Sequence, residues 1–144
     1  SRQLPGKRNY LYFKILLKMK QAVLLVDDDP IFQFAVRSMV EQIDKDVDLK
    51  VFNNGVEFIS FLKDKSSDDL PAITLLDLNM PLKNGWEVLE DIPTISSKLP
   101  LKIYVCSSSI DPLDIKRAKE SYNVEDYIIK PITLEQIRAL IETV

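Results

Sequence analysis

The chain has no histidine. That absence excludes histidine-based catalysis, a histidine metal ligand and a phosphohistidine of the chain's own. Cysteine occurs once, as Cys106, so no internal disulfide can form. A reducing, cytoplasmic setting is the expectation that goes with it. No apolar run approaches the roughly 18–20 residues of a membrane span, so no membrane contact is expected. No strong positive charge is present either. The formal net charge is −3, which argues against a direct nucleic-acid surface. Repeats, low-complexity tracts and a second domain are all missing. What remains is 144 residues, 46% hydrophobic and 28% charged, the balance of one folded domain. A domain of this size buries roughly two-thirds of its unfolded surface.

Residues 1–18 differ from the rest. They carry Arg2, Lys7, Arg8, Lys14 and Lys18 and no acid. Lys14 interrupts the apolar stretch Tyr10–Leu17 and no small-residue cleavage site follows, so the segment reads poorly as a secretion signal. It reads as a leader, tag-like or flexible, or as an extra amphipathic strand or helix, with its origin left open by the sequence. The domain is expected over 19–144.

From residue 21 two textures alternate. Short apolar runs stand at Ala22–Val26, Leu49–Phe52, Ala72–Leu76, Leu101–Cys106 and Tyr127–Ile129. Most are nearly uninterrupted, as in strands buried on both faces of a parallel sheet. Helical patterns fill the gaps. Asp29-Pro30 reads as cap and first helical residue, followed by Phe32, Val36, Met39, Val40 and Ile43 on one face. Asn54-Gly55 opens a second helix through Phe58, Ile59 and Leu62. Asn84 with Glu87, and Thr133 with Gln136, have the spacing of capping boxes. Asp111-Pro112 opens the fourth helix, with Ile115, Ala118 and Tyr122 on one face. The fifth runs through Leu134, Ile137, Ile141 and Val144. Asp64–Leu70 and Pro93–Pro100 read as polar loops.

Strict βα alternation predicts an α/β fold with a parallel sheet, helices on both faces and right-handed crossovers. A closed barrel needs about 250 residues and eight units, so an open doubly wound sheet is preferred. Flavodoxin-like strand order 2-1-3-4-5 is the usual five-strand solution.

Sites in such sheets form beyond the carboxyl ends of the strands. The first strand ends in Asp27, Asp28 and Asp29, and the third in Asp77. The fourth ends in Ser107, Ser108 and Ser109, and the fifth in Lys130-Pro131. In the expected order, strands one and three are neighbours, so their acids converge. Two carboxylates ~4 Å apart repel by roughly 4 kcal/mol at an effective dielectric near 20. Asp29 is accounted for as a helix cap; Asp27, Asp28 and Asp77 are not. Either one of them is protonated with a raised pKa, or a cation sits among them. Oxygen ligands with room left for water and phosphate suit Mg²⁺ better than Zn²⁺. Each element also has a plainer reading. The acid run alone could be a solvated turn, Lys130 a strand-end charge, Ser107–Ser109 a polar loop. Cys106 and Trp86 read as packing residues.

Taken together, four stretches resemble the signatures of response-regulator receiver domains of two-component systems, of the stand-alone chemotaxis-regulator kind. They are LLVDDDP (Leu24–Pro30), LLDLNMPLKNGWEVL (Leu75–Leu89), VCSSS (Val105–Ser109) and YIIKPIT (Tyr127–Thr133). The likeness covers about 20–144. It implies that Asp77 is the phosphoacceptor. Asp28 would hold Mg²⁺ directly, Asp27 partly through water, and Asn79 through its backbone carbonyl. Ser107 would bind a phosphoryl oxygen and Lys130 would pair with the phosphoryl group or Asp77. Tyr127 would be the aromatic switch residue, and Lys130-Pro131 a cis peptide. Phosphorylation would draw Ser107 in, turn Tyr127 inward and reshape the surface of helix four, strand five and helix five. That surface would meet a downstream protein or a second copy of the chain. Because the chain lacks histidine, the donor would be an external histidine kinase or phosphotransfer protein. Asn84 and Ser107 depart from the commoner Asp and Thr of the family. The loss of a methyl at Ser107 frees its rotamer and softens its expected coupling to Tyr127.

The resemblance implies a signalling switch rather than an enzyme with an external substrate. A phosphorelay intermediate is the alternative within the family, and no output domain is seen after the fifth helix. A phosphohydrolase of the haloacid dehalogenase type also uses an aspartyl phosphate. Its motif, however, needs an Asp two residues after the nucleophile, where this chain has Asn79. An inert pseudo-receiver is disfavoured by the complete acidic set.

Overall fold

A computed structural model describes residues 22–64, 72–95 and 101–142. Its strands are β1 (Ala22–Val26), β2 (Asp48–Phe52), β3 (Ala72–Leu76), β4 (Leu101–Ser107) and β5 (Val124–Ile129). Its helices are α1 (Pro30–Ile43), α2 (Gly55–Asp64), α3 (Gly85–Ile95), α4 (Pro112–Lys119) and α5 (Leu134–Glu142). All strand pairs are parallel, in the order β2-β1-β3-β4-β5. The expected topology is met. The proposed leader, residues 1–18, lies outside the described residues, as do 65–70 of the first polar loop and Val144.

Alternation along each strand divides the core into two layers. Val23, Leu25, Leu75, Cys106 and Ile128 face α1 and α5, meeting Phe32, Val36, Val40, Ile137 and Ile141. Leu24, Val26, Leu76, Ile103 and Val105 face the other way, meeting Phe58, Leu62, Val88, Ile92 and Ala118 from α2, α3 and α4. Full burial of each such side chain contributes about 1.5–3 kcal/mol. The caps fall where expected. The Asp29 and Asp111 carboxylates accept from the Ile31 and Leu113 N–H groups, both at 2.9 Å. Asn84 and Glu87 exchange two bonds of 2.9 Å. Thr133 and Gln136 do the same at 2.9 and 3.1 Å.

Three local expectations are corrected. β5 begins at Val124 rather than Tyr127. It is an edge strand, so the exposed Glu125 and Asp126 cost nothing there and break the apolar pattern that would have marked it. α4 ends at Lys119, which places Tyr122 beyond the helix and largely exposed, just before Asn123 at φ 65°. Tyr122 therefore does not extend the buried face of Ile115 and Ala118. Pro93 does not start a loop: α3 continues through it to Ile95. The proline lies close to the helix end, where the one i→i−4 bond it removes takes little helix with it.

Gly85 fixes the start of α3 against the loop after β3. Its N–H donates to the Leu78 carbonyl at 3.0 Å. A Cβ here would sit 2.7 Å from the Leu78 Cα and collide with the Asp77 carbonyl oxygen, both backbone atoms. Its φ is not positive, so glycine is required by close approach rather than by an unusual backbone. Gly85→Ala should lower the unfolding free energy by about 2–4 kcal/mol in urea titrations, since only backbone movement relieves the clash. A change below the error of the titration would show the contact to be soft.

Candidate functional site

The sheet ladder carries one residue past the ends of β1 and β3. The Asp27 N–H donates to Phe52 and the Asp77 N–H to Val26, at 3.0 and 2.9 Å. Both acids are thereby fixed on backbone that continues the strands, and both are buried. Asp28 is exposed beside them. One carboxylate oxygen from each of Asp27, Asp28 and Asp77 falls within 4.8 Å of the others. Asp29 points away and caps α1, while its own N–H donates to Asp27 Oδ1 at 2.9 Å.

Lys130 arrives from the end of β5. Its ammonium lies 2.7 Å from Asp27 Oδ2 and 3.7 Å from Asp77 Oδ1. The Phe32 ring lies beneath it, 4.4 Å from Nζ to the centroid. The Lys130-Pro131 peptide is cis, and the Lys130 N–H donates to the Ser107 carbonyl at 2.9 Å. Ser107 is fully buried and its hydroxyl accepts from the Ser109 N–H at 3.1 Å. Tyr127 is turned inward at 8% exposure, its hydroxyl donating to the Ser109 carbonyl at 2.8 Å. Asn79 stands exposed two residues after Asp77.

The electrostatics follow from this crowding. Burial, then the charge of Asp27, pushes the Asp77 carboxyl from 3.8 up to about 6, against the pull of Lys130 and the backbone amides of Asn79 and Leu78. Burial alone would lower the Lys130 ammonium, but the hydrogen bond to Asp27 and the charge of Asp77 outweigh it and the net shift is upward. Lys130 is thus held charged and Asp77 is reluctant to ionise. Burial pushes the Cys106 thiol up to about 12, so it is an inert core group despite its nearness to the site. A site with three converging carboxylates, one resisting ionisation, fits a small hard divalent cation bound through oxygen.

Sequence reasoning missed several supporting contacts. In the sequence Phe32 marks only a helix face, yet its ring also seats Lys130. Gln33 donates to the Asp27 carbonyl at 2.6 Å and to Asn53 Oδ1 at 2.7 Å, tying α1 to the loop after β2. Nothing in the sequence signals Gln33, whose partners lie six and twenty residues away, outside any helical or strand period. Trp86, read as packing, carries the Arg117 guanidinium of α4 at 4.0 Å over its ring.

With the fold and this geometry in view, comparison with known proteins defines the class. The family model for the response regulator receiver domain matches residues 23–142. The chain belongs to that family. It is similar to a probable C4-dicarboxylate response regulator of Priestia megaterium, 28% identical over 87% of this chain and 52% of that protein. Among solved structures it resembles a two-component response regulator from Cytophaga hutchinsonii (28% identity, 85% of this chain and 95% of that one, TM-score 0.72). It also resembles the Mn²⁺-bound form of response regulator Rcp1 (25% identity, 85% and 89%, TM-score 0.64). The chain spans about half the length of the curated relatives it matches. Neither the family match nor Asn79 favours the haloacid dehalogenase alternative. Among the described residues no helix is long and apolar enough to cross a membrane.

The raised Asp77 pKa sets a stability window for the metal-free chain. The folded state holds this proton more tightly than an ordinary carboxyl at 3.8, so the contribution is full below about pH 4 and is lost as pH rises through about 6. Asp77→Asn should therefore stabilise the metal-free chain at pH 8 by up to about 3 kcal/mol, with little gain at pH 4. Urea denaturation at both pH values in EDTA measures this. A gain that is equal at the two pH values would contradict the assignment.

Proposed function

We propose that Asp77 is the phosphoacceptor of this receiver domain, with an external histidine kinase or phosphotransfer protein as donor. The observation that carries this reading is the seating of Asp77 beside Asp27 and Asp28, with the Lys130 ammonium 3.7 Å from its Oδ1. Asp27, Asp28, Asp77 and the backbone carbonyl of Asn79 are the groups that would hold Mg²⁺. When bound, the cation neutralises oxygen charge and screens the acids from one another. An Asp77 carboxylate oxygen attacks phosphorus and forms a P–O bond. The P–N bond of the donor phosphohistidine breaks, and its electron pair returns to the donor imidazole. Lys130 offers a fixed positive charge to the phosphoryl oxygens. Ser107 is the hydroxyl that would turn to one of them, giving up its bond from Ser109. Ser109 is also bonded to Tyr127 through its carbonyl, so a change at Ser107 reaches Tyr127 across one residue.

The output is a shift in the surface of α4, β5 and α5, read by a downstream protein or by a second copy of the chain. The domain catalyses only its own phosphorylation and dephosphorylation, in the cytoplasm.

Incubation with acetyl phosphate and Mg²⁺ should add one phosphoryl group per chain, seen by intact mass. Asp77→Asn should reduce this to background, and so should EDTA. Undiminished labelling of Asp77→Asn would sink the site assignment. Rapid return of the phosphoryl group to a phosphotransfer protein would identify a relay intermediate, whereas slow loss to water alone would identify a terminal switch.

A further inference from the structure

We propose that Phe32 is the positioning residue for Lys130: its ring face holds the ammonium in place between Asp27 and Asp77 and so sets how tightly the site binds a phosphoryl group. The functional half of this inference rests on the phosphoacceptor reading; the contact itself does not. Lysine has a long flexible stem and a compact charge. Two carboxylates attract that charge, but Lys130 sits unequally between them, at 2.7 and 3.7 Å. The third neighbour is the Phe32 ring, 4.4 Å from Nζ to the centroid, well inside the range of about 6 Å over which a ring quadrupole attracts a cation.

The ring is itself held from several sides. Phe32 is buried and packs with Val36, Val40 and the α5 residues. The Asp29 cap fixes the first turn of α1, and Gln33 anchors the next position to the Asp27 carbonyl. Leucine fills the same kind of apolar space but has no quadrupole, so it separates packing from positioning. The side chain of Lys130 is only 18% exposed, which places the contact in the stronger, desolvated part of the cation–π range.

Two measurements test this. The first is the affinity of the chain for beryllofluoride with Mg²⁺. Phe32→Leu should weaken it about five- to thirtyfold, whereas Phe32→Tyr, which keeps the ring, should stay within about twofold of the parent chain. Equal losses in the two variants, or no loss in either, would overturn the positioning role. The second is urea unfolding without Mg²⁺ or beryllofluoride for Phe32→Leu, Lys130→Met and the double variant. Non-additive effects support the contact and additive effects overturn it. A parent chain that fails to bind beryllofluoride, or Asp77→Asn binding it equally well, would refute the phosphoacceptor reading and the functional half with it. The unfolding cycle would still decide the contact.

Discussion

Everything at the functional end of this molecule depends on the placement of like charges where the fold least tolerates them. Asp27 and Asp77 end adjacent parallel strands, and hydrogen bonds from their N–H groups to the Phe52 and Val26 carbonyls hold their backbones side by side. Their repulsion is not dissipated into solvent, because both are buried. It is countered by the Lys130 ammonium crossing from the far edge strand, while burial first and the charge of Asp27 second leave Asp77 with a raised affinity for a proton. The same imbalance makes the site receptive to a divalent cation. Receptivity and instability are one property here, and the buried central strands β1, β3 and β4 supply the rigidity that sustains both.

The division of labour among the acids follows from depth. Asp27 is the innermost and is occupied: it receives the Lys130 ammonium and the Asp29 N–H. Asp28 is exposed, with one carboxylate oxygen converging on those of Asp27 and Asp77. Asp77 lies between these conditions, buried but with its nearest cation at a distance of 3.7 Å rather than in contact. Under the proposed function this incomplete pairing leaves a carboxylate oxygen of Asp77 available to phosphorus once a cation offsets the neighbouring acids.

Much of this was legible in the sequence because period and strand ends are written there directly. Nearly unbroken apolar runs revealed β1, β3 and β4, and Asp or Asn before Pro or Gly revealed three helix starts. Topology then brought Asp27, Asp28, Asp77, Ser107 and Lys130 to one end of the sheet. What escaped was of two kinds. Edge position relaxes the apolar rule, which hid the first three residues of β5. Contacts between distant segments leave no periodic trace, so the Phe32 ring under Lys130 and the Gln33 bridge had to be seen in three dimensions. Tyr122 continued a helical spacing that the chain itself abandons at Lys119. Pro93 has the look of a loop residue, although a proline near a helix end removes too little to end the helix.

The Arg117 guanidinium stacked over Trp86 has a practical meaning of its own. Trp86 is the only tryptophan in the chain, and it occupies the second position of α3, immediately after the glycine pressed against the Asp77 backbone. Arg117 belongs to α4. Indole emission therefore comes from a single place, the junction of these two helices, and it is sensitive to whether a cation lies on the ring. Excited at wavelengths that the five tyrosines do not absorb, this one indole reports from within the molecule on whether the contact between α3 and α4 is made, with no label to attach.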